Sequence, residues 1–125
     1  MKIFQDYLDE INDFFRSQGM AIDPLPLVKV DGRENDALDP FIETANYNPA
    51  KREITVFVSN RQLKDILRSY CHELAHHSQN LSMGDGFSEI RKSGKLSENG
   101  DLEKLEEEAY RNGNLIFRKW TETRK

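Results

Sequence analysis

All three histidines of the chain fall within six residues, in the run Cys71-His72-Glu73-Leu74-Ala75-His76-His77. His72 and His76 are four apart, and on an α-helix that spacing stacks two side chains on one side, one turn above the other. Two neutral imidazoles so placed can reach a common divalent ion. Zinc accepts such a pair together with a carboxylate and leaves a fourth position for water, whose pKa falls from 15.7 to about 7. Glu73, adjacent to the first histidine, is placed to take the water's proton and pass it to a leaving amine. The expected chemistry is zinc-assisted hydrolysis, with His72 and His76 as metal ligands and Glu73 as general base.

A third ligand is needed to complete such a site. The extended arrangement with glycine at 79 and histidine at 82 fails, because those positions hold Gln79 and Ser82. His77 points about 100° away from His76 around the helix and cannot share its ion. Carboxylates remain, and Glu106, Glu107 and Glu108 stand in a row near the C-terminus. If Leu105, Ala109, Asn112 and Ile116 centre the apolar face of their helix, Glu107 projects away from it. Glu106 and Glu108 flank it on either side, so periodicity leaves both open.

The elements that must carry these residues can be read from patterning. Residues 2–18 show apolar positions at helical spacing, with Gly19 as the stop. Pro24 and Pro26 interrupt any helix, and Leu25–Gly32 reads as a short edge strand. Residues 33–40 read as loop. Residues 41–47 and 53–59 form the two arms of a β-hairpin around a turn at 48–52, with Ile54, Val56 and Val58 alternating onto one face. Residues 61–80 form the histidine helix, packing through Leu63, Tyr70 and Leu74 and presenting His72 and His76 on the opposite face. The stretch 82–100, rich in Gly and Ser, reads as a long loop, and Asp101 caps a final helix. The strand Arg52–Val58 offers an edge along which an extended peptide could pair. Cys71, turned towards the apolar side, reads as an inert buried thiol.

Composition narrows the functional classes. The 125 residues suit a single domain with a thin core, about a third of them are charged, and the net charge is −4. No broad basic face suggests nucleic acid as a partner. The single cysteine points to a reducing compartment. The N-terminal residues lack a secretory pattern and no segment has membrane-spanning length, so the expectation is a cytoplasmic protein, monomeric or weakly oligomeric.

His72-Glu73-Leu74-Ala75-His76 followed by Glu108-Ala109-Tyr110-Arg111-Asn112 resembles the gluzincins, zinc peptidases whose third ligand is a glutamate on a second helix. The element order is similar to that of minimal gluzincins and of small ImmA/IrrE-like and phage-encoded zincin domains. The resemblance implies an α+β zincin-like fold, with an N-terminal helix, a small mostly antiparallel sheet of about three strands, the motif helix and a ligand-bearing C-terminal helix. It implies Glu108 as third ligand and Asn112, in place of the usual aspartate, as a support for a zinc-bound histidine. It also implies a peptide or protein substrate and a donor for the developing oxyanion, with His77, Tyr110 and Tyr47 as candidates. The chain is too short for the second subdomain that walls the cleft of larger gluzincins. The alternative expectation is therefore a zinc-binding regulatory or interaction module with little proteolytic activity.

Overall fold

A computed structural model describes residues 3–32, 44–93 and 101–124, with the backbone alone for 91–93. Helix α1 (Phe4–Ser17) buries Leu8, Ile11, Asn12 and Phe15, a three- and four-residue spacing that lays one stripe on the core. It ends where Gly19 takes a positive φ of 84°. Strands β1 (Leu27–Asp31), β2 (Ala45–Asn48) and β3 (Glu53–Phe57) form one sheet in the order β1-β3-β2. The loop expected at 33–40 and the start of the first hairpin arm lie outside the described residues.

The hairpin is formed by β2 and β3, paired antiparallel from Ala45↔Val56 to Asn48↔Glu53. Its turn is held locally: the Asn48 side-chain oxygen accepts the backbone N–H groups of Ala50 and Lys51 at 3.1 and 3.2 Å. β1 pairs with β3 in parallel, from Leu27↔Glu53 to Asp31↔Phe57. The sheet is therefore mixed, with one parallel and one antiparallel pairing, not mostly antiparallel. β3 is also central, so the expectation that it presents a free edge to a peptide is corrected. Alternation reports which face a strand buries and is silent on how many neighbours bond to its backbone.

Arg61 fastens the sheet to the next helix. Its guanidinium donates to the carbonyls of Thr44, Phe57 and Asp65 and to Ser69 Oγ, all within 2.9 Å. Helix α2 (Leu63–Met83) ends at Gly84, whose φ is 60°. From Glu73 to Asn80 every residue of α2 is buried, so His76 and His77 are enclosed even though they lie off the apolar stripe, and of the three histidines His72 alone keeps partial exposure. The expected loop contains helix α3 (Asp85–Ser93), which lays Phe87 into the core with no exposure. Residues 94–100 of that loop lie outside the described residues. Among the described residues no helix is long and apolar enough to cross a membrane.

Helix α4 (Asp101–Thr123) buries Leu105, Ala109, Gly113, Ile116, Phe117 and Trp120. It runs antiparallel to α2: Leu105 and Glu108 meet Gln79, Gly113 meets His72, and Phe117 lies under Arg68. At the crossing the two backbones are in contact, because a Cβ on Gly113 would stand 2.9 Å from His72 Cα and 3.1 Å from its nitrogen. Gly113→Ala improves helix propensity by up to about 1 kcal/mol, but it forces α4 off a backbone that cannot yield. The expected net result is a destabilisation of about 1–2 kcal/mol, read as a fall in melting temperature of several degrees.

Candidate metal centre

The crossing at Gly113 brings one carboxylate of α4 to the histidines of α2. His72, His76 and Glu106 each offer a ligand atom, and these atoms all lie within 4.8 Å of one another. Glu106 Oε2 is 3.6 Å from His72 Nε2 and 3.3 Å from His76 Nε2. Four ligands placed tetrahedrally at zinc distances of about 2.0–2.1 Å are about 3.3 Å from each other, so the two separations from Glu106 are close to those a zinc ion would set, while the group as a whole spans up to 4.8 Å. The site lies at the margin of the surface: His76 is buried to 1% exposure, while the side chains of His72 and Glu106 keep 27% and 47%.

The hydrogen bonds around His76 fix the chemistry of its ring. Gln79 Nε2 donates to the Leu105 carbonyl at 3.0 Å and to Glu108 Oε1 at 3.2 Å, two groups that only accept when the carboxylate is ionised. That orients the amide so that its oxygen faces His76 Nδ1 at 2.8 Å and accepts the proton there. In neutral His76 the Nε2 lone pair then points at the Glu106 carboxylate, acceptor against acceptor at 3.3 Å. A cation between them, a proton or a metal ion, removes that repulsion. Two imidazoles and a carboxylate with one ring already set in the ligating tautomer fit zinc. Loss of the orienting partner in Gln79→Leu is expected to weaken zinc binding 10- to 100-fold, measured by competition with a chromophoric chelator.

Glu108, expected as the third ligand, is not in this group; it faces Gln79 from the other side of the helix seam. Asn112 lines the same groove as Glu108, Gly19 and Met20, apart from the cluster around Glu106. The reason is a rotation of α4. Its contact face is completed by Gly113 and Phe117 rather than Asn112, which turns the centre of that face by roughly 40° at 100° per residue. The turn swings Glu106 towards α2 and Glu108 away. Gly113 is the signal that marks this face in the sequence, since a bare backbone position inside a helix invites close approach.

The candidates for the oxyanion donor separate clearly. His77 is fully buried, with Nε2 donating to the Pro24 carbonyl at 2.8 Å. Its Nδ1 accepts the Tyr47 hydroxyl at 2.7 Å, and that hydroxyl accepts from Asn80 at 2.9 Å. Burial holds the His77 imidazole below its ordinary pKa, against the raising effect of the Pro24 carbonyl, consistent with a neutral ring. His77 and Tyr47 thus belong to a satisfied polar network under the sheet and have no capacity left for a substrate. Tyr110 is different: it is 66% exposed and stands one helical turn after Glu106.

Glu73 is buried to 7% exposure and is turned about 100° from His72 around α2, towards the side that carries His77 and the sheet. Phe87 covers His76 from α3, with ring centroids 5.9 Å apart, and also packs on Tyr47. Nothing in the sequence between two glycines marked this residue as a wall of the site. Cys71 is buried, and burial pushes its thiol pKa up, so it is an inert packing group next to the site. Compared with protein-family models, with curated proteins and with solved structures, the chain has no match.

Proposed function

We propose that this domain is a zinc-dependent peptidase of minimal, gluzincin-like build. The convergence of His72, His76 and Glu106 donor atoms within 4.8 Å carries the reading, with His76 oriented by Gln79. These three residues would hold the ion, which when bound supplies Lewis acidity towards water and a carbonyl oxygen. Glu73 takes the proton of the attacking water and returns it to the leaving amine. Tyr110, exposed and one turn from Glu106, donates its hydroxyl to the developing oxyanion. His72 and Glu106, both partly exposed, leave an approach for an extended peptide.

The test is cleavage of an unfolded protein by the zinc-loaded domain, its loss on chelation and its return on adding zinc. Anomalous scattering at the zinc edge identifies the coordinating atoms. A second reading, a zinc-binding interaction module, is favoured by one observation: two of the three oxyanion candidates are locked in the core, which leaves the task to a single exposed tyrosine. Stoichiometric zinc without cleavage across a broad peptide library selects that reading.

A further inference from the structure

The seam between α2 and α4 continues past the histidines into a groove of about 320 Å³, lined by Lys64, Arg68, Tyr110, Asn114, Phe117, Arg118 and Thr121. Three of these residues are cations, three others offer hydroxyl or amide donors, and none is an acid. Such a lining is unusual in a chain of net charge −4. The groove is joined to the metal centre through both helices. Lys64, Arg68, His72 and His76 form a series at four-residue steps along α2, and Tyr110 follows Glu106 by four on α4. Glu108 and Asn112 line the separate groove beside Gly19 and Met20.

The cations are held but not consumed. Arg68 lies over the Phe117 ring at 5.5 Å, which aims its guanidinium, and it reaches Asp65 only at 3.5 Å. Arg118 reaches Glu122 at 3.5 Å through Nε, and both side chains are exposed. Exposed pairs of that length are weak, so the N–H forks of the two arginines keep donors for a ligand. Among the described residues Lys64 makes no ion pair. Two guanidinium groups, an ammonium, the Asn114 amide and the Thr121 hydroxyl around a cavity at the small end of ligand pockets suit a carboxylate.

We infer that this groove is an anion subsite that selects peptides carrying a carboxylate about two residues from the bond placed at the metal centre. The spacing follows from one helical turn, about 5.4 Å, between the Arg68 and His72 levels, and from about 3.3–3.6 Å per extended residue. The inference rests on the peptidase reading and names its substrate class. The carboxylate can belong to an acidic side chain or to the peptide's own C-terminus.

Binding is measured by fluorescence anisotropy on zinc-loaded Glu73→Gln protein, so that no cleavage intervenes. Three labelled heptapeptides serve as probes: one with an internal Glu and an amidated end, one neutral with a free C-terminal carboxylate, and one neutral and amidated. At least one of the two anionic peptides is expected to bind tenfold or more tightly than the neutral one, and which of them does so identifies the source. Lys64→Gln and Arg118→Gln, at exposed positions with no core role, should each reduce that preference at least threefold, as should raising the salt. Arg68→Gln should do the same, and the other two variants carry the test if loss of its ring contact perturbs the fold. Equal binding of all three peptides, or a preference that survives both Lys64→Gln and Arg118→Gln, overturns the subsite. Zinc titration of the same proteins reports on the metal centre separately. Absent zinc binding with an intact, groove-dependent anion preference would remove the peptidase reading and leave the subsite standing.

Discussion

Glu106→Gln is expected to lower zinc affinity by a hundredfold or more, whereas Glu108→Gln stays within about tenfold of the parent. Glu106 Oε2 stands 3.6 and 3.3 Å from the two histidine nitrogens, and amidation removes the negative charge from that position while preserving shape. Loss of an outer partner of a metal ligand already costs about 10- to 100-fold in affinity, and loss of a charged ligand costs more. Glu108 only accepts a hydrogen bond from Gln79, and a glutamine amide oxygen can accept it equally. The two variants differ by two positions and each removes one negative charge, so bulk electrostatics cannot separate them. Chelator competition on both proteins decides the matter, and a larger loss in Glu108→Gln would move the site to the other side of α4.

The second large effect concerns turnover rather than binding. Glu73→Gln should reduce peptide cleavage by about 10²- to 10⁴-fold, the usual contribution of a positioned acid–base group. The protein should keep one zinc per chain, because His72, His76 and Glu106 are unchanged. The amide is nearly isosteric, so the buried site keeps its volume and the melting temperature should change little. Residual cleavage within threefold of the parent, with zinc retained, would show that Glu73 is not the base. Parallel measurements of rate and metal content distinguish this from simple loss of the ion.

The motif helix, the N-terminal helix, the hairpin and the C-terminal helix were all legible, because each rests on local periodicity or turn chemistry. Leu8, Ile11 and Phe15, or Ile54 and Val56, report their own burial through spacing alone. What was illegible depends on partners distant in the chain. Parallel pairing of β1 with β3 leaves no mark on Leu27–Asp31, and it turned a supposed edge into the centre of the sheet. α3 was hidden by Gly84 and Gly86, whose composition signals a loop although Phe87 and Ile90 pack as one short apolar face. That Glu106 and not Glu108 lies beside the histidines follows from the rotation of α4, which Gly113 and Phe117 set through contacts with α2. Gln79 reads as a failed position of another motif, because its amide bridges α4 and His76 through contacts that no local pattern encodes.

Glu106 and Gly113 are seven positions apart, close to two full helical turns, so the acid and the bare stretch of backbone look the same way. The pairing is set by the helix crossing and not by surface residues or loop lengths. A distant cousin built on the same crossing should carry His-Glu-x-x-His, then an acid some way downstream, and a glycine seven places beyond the acid. With the acid held thirty positions after His76, as it is here, this longer fingerprint is rarer by chance than the five-residue motif, and its physical origin is the 2.9 Å clearance at His72.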